Sequence, residues 1–572
     1  MITRPTVQRS SSWIADVSVV TLLAAVLYGL VRVATHWQAP LQSEVEISLS
    51  LWALPGYTLL SLLRGFVAYG LSLAFALTYG YAAAHRAHAE RVMLPLLDIL
   101  QSIPVLGFLP GAVLALVSLF PNTNAGLELA CILMIFTGQV WNMTFSFYQS
   151  LRSIPLELRE AASLYQFNWW QRFRRVELSA SAVGLAWNSM MAMAGGWFFL
   201  MVCEAFTLGA HDFKLPGLGA YMSVAIAHRN TAAILAGIAA MVLMIVLVDV
   251  CVWRPVLAWA QKFRMEETTT AEIQGSMVLN LLRRSSLAQA AMARVAHPIS
   301  EWLSAKANPR REGTANLTTV KRSSRVRRLV SGLAVSAGAG GTLWAAWRLV
   351  ILLAHLPLQE WIQVMGGAVL TFFRVVAAVV LGSLWAVPVG VWIGRSDRRR
   401  ALLQPVVQVA ASFPAPMLFP LVLLALHQFG LELNLGAVLL MLLGTQWYIL
   451  FNVIAGVSSV PDDLREVARS YQFTPWQRWW MLWWPGVFPY LITGWVTAAG
   501  GAWNASIVAE YLSMGRQVFV APGLGSLISL AASHGRYDLL AAGVLTMAVV
   551  VILINRYCWK PLYRLAETRY AY

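Results

Sequence analysis

The chain has 572 residues, of which 58% are hydrophobic and 12% charged, and its formal net charge is +16. A soluble domain carries about a quarter charged residues, so too few are present here to clothe an apolar interior, and the soluble globular classes are excluded. The apolar residues gather instead into runs of the roughly 20 residues that an α-helix needs to cross a bilayer.

In chain order, Arg4 and Arg9 precede an apolar run from Val17 to Thr35. It is long for the core of a signal peptide, no small-x-small cleavage site follows it, and it reads as a retained first helix. The first half continues with predicted spans at 57–84, 95–119, 127–150, 180–206 and 232–257. A polar segment, 259–328, then carries thirteen Lys/Arg and five Glu, which suits a cytoplasmic linker beside anionic headgroups. The second half predicts spans at 329–354, 362–394, 403–427, 434–457, 485–511 and 538–558. With the N-terminus cytoplasmic, 33 of the 42 Lys/Arg fall in cytoplasmic segments, and only Lys214, Arg229, Arg516 and Arg536 fall in external loops. Arg32, Arg64, Arg254, Arg348 and Arg374 lie in or at the ends of spans. This is the positive-inside distribution, so the basic excess reports topology and not a nucleic-acid partner.

The two halves are copies. At an offset of 310, Arg64 matches Arg374, Pro95 matches Pro405, Ser102-x-Pro104 matches Ser412-x-Pro414, and Pro110 matches Pro420. After a four-residue length difference the offset is 306: Gly138/Gly444, Trp141/Trp447, Leu158-Arg-Glu160/Leu464-Arg-Glu466, Tyr165-Gln-Phe167/Tyr471-Gln-Phe473, Pro216-Gly-Leu-Gly219/Pro522-Gly-Leu-Gly525 and Trp253-x-Pro255/Trp559-x-Pro561. An even number of crossings per copy gives both the same orientation, a parallel repeat about an axis along the membrane normal. The expected fold is an all-α polytopic membrane protein of two tandem six-helix units, 1–258 and 329–572, joined by 259–328.

Before each fifth span lies a short cytoplasmic segment that begins with proline and acids, a helix-start signature. Leu158, Ala161, Ala162 and Tyr165, and again Leu464, Val467, Ala468 and Tyr471, fall at helical spacing as one apolar stripe, with Glu160 and Glu466 on the other side. One such helix could simply lie on the membrane; its duplication suits a twofold partner.

Other matched residues carry chemistry of their own. Arg64 and Arg374 are charges inside spans, rare and often functional, although they could equally bond neighbouring carbonyls or snorkel. Glu204 and Glu510 near the outer ends of the fifth spans could gate a pathway or order a loop. Pro104 and Pro414 break the third spans, either to expose carbonyls to a pathway or to kink the helix. His228 and His534 are matched but lack metal partners at ligand spacing. Cys131, Cys203, Cys251 and Cys558 sit in apolar runs without metal-ligand spacing and read as small core residues. Tryptophans such as Trp169, Trp170, Trp476, Trp479 and Trp480 crowd before the fifth spans as an interfacial belt. No G-x-x-x-x-G-K-[ST] occurs, so the chain has no phosphate loop of its own.

Glu160-Ala161-Ala162 and Glu466-Val467-Ala468, each between two spans, resemble the "EAA" loop of ABC importer permeases. Leu482-x-Trp484-Pro485 ends the second copy much as that loop ends; the first copy has Val176-x-Leu178-Ser179. Both copies place glutamine, Gln166 and Gln472, where that family usually has glycine. The Arg64/Arg374 span, the Ser-x-Pro third span, the external Glu and Pro-Gly-Leu-Gly, and the final Trp-x-Pro resemble its nitrate/sulfonate/taurine branch. The resemblance covers nearly all of both halves and excludes the linker.

It implies a permease that forms the pathway for a small anionic solute by alternating access. Residues 155–175 and 461–481 would be its coupling loops, with Arg159, Glu160, Ala161, Ala162, Gln166, Arg465, Glu466, Val467, Ala468 and Gln472 at the ATPase contact. The implied partners are a cytoplasmic ABC ATPase dimer, which would hold ATP and Mg in place of any cofactor on this chain, a periplasmic or lipid-anchored solute-binding protein, and membrane lipids. One fused chain would serve per complex, in a bacterial inner membrane with both termini cytoplasmic. Arg64, Pro104, Glu204, Arg374, Pro414 and Glu510 are the pathway candidates. An ion-coupled secondary transporter or a non-transporting scaffold for a cytoplasmic partner are the alternatives.

Overall fold

The computed structural model describes residues 46–102, 105–208, 211–263, 278–280, 285, 294, 340–341, 343–344, 346–428, 430, 433–514 and 517–569. The expected first span at 17–35, nearly all of the linker, the start of the span at 329–354, and Pro104 lie outside them.

The first half runs α1 (Leu54–His85), α2 (Ala87–Ser102), α3 (Leu109–Leu119), α4 (Ala125–Arg152), α5 (Leu156–Leu164), α6 (Trp169–Cys203), a hairpin β1 (Ala205–Leu208)/β2 (His211–Lys214), α7 (Leu218–Ala227) and α8 (Thr231–Phe263). The second half repeats the order: α9 (Leu358–Gly394), α10 (Asp397–Ser412), α11 (Phe419–Gln428), α12 (Leu433–Ser459), α13 (Asp462–Ser470), α14 (residues 475–509), hairpin β3 (Tyr511–Met514)/β4 (Gln517–Val520), α15 (Leu524–Ser533) and α16 (residues 537–569). The duplication extends to the irregularities. Single π-turns interrupt α6 at Phe173–Glu177 and α14 at Trp479–Trp483, and again α8 at Asp249–Trp253 and α16 at Asn555–Trp559. The two antiparallel hairpins also correspond, Ala205 facing Lys214 and Tyr511 facing Val520.

Among the described residues, seven helices are long and apolar enough to cross a membrane, or eight if α10 and the helix after it form one span bent by 78°. Three shorter apolar helices, Leu109–Leu119, Leu218–Ala227 and Leu524–Ser533, accompany them. The expected third span of the second half is thus a broken helix. In the second half the break falls at Phe413-Pro414, where both residues are extended, and proline there both lacks an N–H and disfavours helix in the residue before it.

Each half is a three-helix sandwich, α4 between α1 and α6, and α12 between α9 and α14. Close packing follows from small residues on one face: Ser61, Gly65, Ala68, Ser72, Ala76, Gly80 and Ala83 of α1 recur every three or four positions. Apolar side chains gain nothing by leaving lipid, so such helices associate through intimate van der Waals contact. A β-carbon on Gly65 would stand 2.8 Å from the Trp197 ring, and one on Gly390 of α9 would stand 2.7 Å from Val453. The halves meet reciprocally. The 3-10 turn Val105–Phe108 of the first packs on α14, and the matching turn Ala415–Leu418 of the second packs on α6.

Candidate functional site

Residues 155–175 and 461–481, expected as coupling loops, hold the short helices α5 and α13. α5 and α13 each start after a proline, Pro155 and Pro461, and carry acids in the first turn. Of the expected stripe, Ala162 and Ala468 are buried, whereas Leu158, Tyr165, Val467 and Tyr471 are exposed. The chain therefore covers Ala162 and Ala468 and half-buries Leu464 against the core of the second half, while Leu158, Tyr165, Val467 and Tyr471 face outward with Glu160 and Glu466. Arg159 and Arg465 point the other way: their Nη2 groups donate to the carbonyls of Leu151 and Val457, 2.8 Å in each case.

Both helices end identically. Gln166 N–H donates to Ser163 O (3.0 Å) and Phe167 N–H to Ala162 O (3.0 Å); Gln472 and Phe473 repeat this with Arg469 (3.0 Å) and Ala468 (3.1 Å). This is the Schellman stop, which needs its C′ residue in the left-handed region. Gln166 and Gln472 have φ +49° and +50°. The glutamines thus hold the conformation that glycine would adopt more easily. Two residues later a capping box restarts each helix: Asn168 and Gln171 exchange side-chain-to-backbone bonds of 3.1 and 2.8 Å, and Thr474 and Gln477 exchange bonds of 2.8 and 3.3 Å. α5 and α13 are therefore each tied by a short, hydrogen-bonded corner to the long helix that follows.

The two corners differ underneath. Glu177 is buried, accepting from Arg172 Nε (3.0 Å) and bonded to His85 Nε2 at the end of α1 (2.9 Å). The matched place in the second half holds Trp483, with the guanidinium groups of Arg395 and Arg465 5.1 and 5.8 Å from its ring centroid.

Arg64 and Arg374 each anchor a buried polar cluster. Arg64 donates to Glu128 through Nε (2.6 Å) and Nη2 (2.7 Å), to Glu204 through Nη1 (2.7 Å), and to the Pro216 carbonyl (2.9 Å). Glu204 also accepts from Ser61 Oγ (2.6 Å) and Gly219 N–H (2.7 Å), and Ser61 Oγ accepts from Leu218 N–H (2.9 Å). In the second copy, Arg374 donates to Glu510 (2.8 Å) and Asn434 Oδ1 (2.9 Å), while Glu510 accepts from Thr371 (2.8 Å) and Gly525 N–H (2.8 Å). The carboxylates sit against Gly217 and Gly523 so closely that a β-carbon there would collide with them. These five charges, Arg64, Glu128, Glu204, Arg374 and Glu510, fasten the Pro-Gly-Leu-Gly corners to α1 and α9. A buried charge needs partners, and each has found them within its own half.

A cavity of about 380 Å³ lies between the halves. α4, α6, α12, α14 and α16 line it, with Thr137, Trp141, Asn142 and Phe198 from one half and Trp447, Tyr448, Thr497, Asn504 and Asn555 from the other. None of its described lining residues is Asp, Glu, Lys, Arg or His. Asn504 Oδ1 accepts from Val105 N–H across the interface (2.7 Å), and Gln408, nine-tenths buried in the lining, has an Oε1 with no hydrogen-bond partner among the described residues. Pro414 lines the cavity. Arg64, Glu204, Arg374 and Glu510, expected along a pathway, do not line it, because their charges are spent on the loop clusters.

The comparison with known families matches this duplicated architecture. The family described as binding-protein-dependent transport system inner membrane component matches twice, at residues 74–254 and 378–556. The chain belongs to that family. The taurine transport system permease protein TauC of Escherichia coli is 26% identical over 182 residues, 32% of this chain and 62% of that protein. The nitrate import permease protein NrtB of Synechocystis is 27% identical over 181 residues, 32% of this chain and 61% of NrtB. The glycine betaine/proline betaine transport system permease protein ProW of Escherichia coli is 27% identical over 209 residues, covering 36% and 54%. The chain thus spans about six-tenths of the length of the first curated relatives it matches.

Both matched segments contain one of the short helices α5 and α13, its corner and the cavity-lining helix that follows. Sequence reasoning missed the partners of the arginines, since Glu128 and Glu204 lie 64 and 140 residues from Arg64. It also missed the hairpins and the buried helices α7 and α15. The capping boxes were visible as Asn-x-x-Gln and Thr-x-x-Gln.

Proposed function

We propose that this permease forms the translocation pathway of an ATP-driven importer for a small solute, with α5 and α13 as the contacts for two cytoplasmic ATPase protomers. The supporting observation is connectivity: each exposed docking helix leads through a rigid corner straight into α6 or α14, the helices that line the shared cavity. Alternating access needs an element with two arrangements that ligands bias differently. Drawing α5 and α13 together on ATP binding would turn α6 and α14 about the interface and re-aim the cavity. ATP and Mg belong to the partner, and a solute-binding protein delivers cargo to the outer face formed by the hairpins. Both termini lie on the cytoplasmic side of the inner membrane.

The names of two relatives favour a small solute with an anionic group, such as taurine or nitrate, as cargo. The cavity can take an anion through neutral donors, and the fastening of Glu204 and Glu510 away from it removes their repulsion. The absence of ionisable side chains other than Tyr448 and Tyr563 among its described lining disfavours an ion-coupled secondary transporter, which carries exchangeable protons or cations on buried acids. Reversing charge at Glu160 and Glu466 together tests the docking role. The altered chain should keep its fold and bind its ATPase measurably more weakly; unchanged binding contradicts the proposal.

A further inference from the structure

The docking helices occupy equivalent places yet present different chemistry. Leu156 stands where α13 has Asp462, Ser163 where it has Arg469, and Leu164 where it has Ser470. Leu156 and Leu164 are 65% and 82% exposed. With Arg159 turned inward, the outer face of α5 combines these leucines and Tyr165 with Glu157 and Glu160. The outer face of α13 carries Asp462, Asp463, Glu466 and Arg469 beside Val467 and Tyr471.

Lipid is a poor cover for α5. Helices that lie in a membrane surface put Lys and Arg on their polar side, and the anionic inner leaflet repels a face whose outward charges are all carboxylates. A protein cleft with an apolar floor and a basic rim suits both helices, by different means.

Resting on the docking reading above, we infer that the two contacts are unequal. α5 is the strong, salt-resistant anchor, seated by its leucines in the floor of one ATPase protomer's cleft. α13 is the weaker contact, held by its acids to the rim of the other protomer's cleft and loosened by salt. Burial of two leucine side chains is worth roughly a hundredfold or more in affinity, whereas exposed charge pairs contribute little and are screened by salt. A chain holding one ATPase protomer through α5 is then the intermediate of assembly.

The test uses the full chain in detergent with the ABC ATPase purified from its native complex, and measures binding at about 50 mM and about 500 mM salt. L156D/L164S gives α5 the chemistry of α13 and should weaken binding at least about tenfold at both salts. D462A/D463A should weaken it at low salt and change it less than about twofold at high salt. Equal losses from the two variants, at both salts, overturn the inference alone. An L156D/L164S chain that binds as well as wild type shows α5 to be covered by something else, lipid headgroups included, and also overturns it. A wild-type chain that retains no ATPase at either salt overturns the docking reading and the inference together.

Discussion

Neutralising the acid of each loop cluster should have very different effects in the two halves. Glu204→Gln removes one of two carboxylates around Arg64 and leaves the bidentate pair with Glu128 at 2.6 and 2.7 Å. The remaining cluster is one cation with one anion, so the loss is that of a charged hydrogen bond, about 1.5–3 kcal/mol at most. Glu510→Gln acts on Arg374, whose one carboxylate partner among the described residues is Glu510, with Asn434 as a neutral second acceptor. That change strands a buried cation, which costs about 3–5 kcal/mol. The difference of about 2 kcal/mol should show as a local opening near Pro522–Gly525 roughly thirtyfold more populated than the one that E204Q produces near Pro216–Gly219. Hydrogen–deuterium exchange of the detergent-purified chain reads this directly at the amides of Leu524 and Gly525 against Leu218 and Gly219, which are bound in the same way in both halves. Equal acceleration at the two corners, or a larger one in E204Q, would refute the reasoning.

Other consequences are as concrete. Q166G/Q472G should raise the temperature of thermal inactivation, because relief of a left-handed side-chain residue gains about 1–2 kcal/mol per site and glycine's extra unfolded-state freedom returns about 0.5–1. Neither exposed side chain packs against the fold in exchange. G523A should drive Glu510 from its bonds and mimic the loop opening of E510Q, since the new methyl would overlap the carboxylate; its exchange pattern checks this. G500W should block solute flux and leave ATPase binding intact, because Gly500 faces the cavity with no atom within 4 Å of its β-carbon position.

Composition and register carried the all-helical membrane class and the duplication, since both depend on bulk hydropathy and on uncommon residues such as Trp141 and Pro216 recurring in step. The short helices α5 and α13 were legible for the same reason, and the corners after them could have been read from Asn168-x-x-Gln171. The role of Gln166 was not, because glutamine has no preference for positive φ and only the backbone shows that the chain must turn there. The arginine clusters escaped because pairing in space depends on how α1, α4 and α6 stack, which no local pattern encodes. The break in the third span of the second half was legible in Pro414, which cannot continue a helix; the 78° angle of the bend was not, because it depends on how the two pieces pack. The hairpins and ten-residue helices α7 and α15 fell below the lengths that periodicity can distinguish.

The most direct test of a pathway driven by a partner's ATP is solute flux into proteoliposomes. These would hold this chain with its ATPase, with the solute-binding protein outside, ATP inside, and the proton gradient dissipated. Uptake that continues with ATP, stops without it, and is lost in G500W is the predicted result. Uptake that stops when the gradient is dissipated, with ATP still present, would contradict the account.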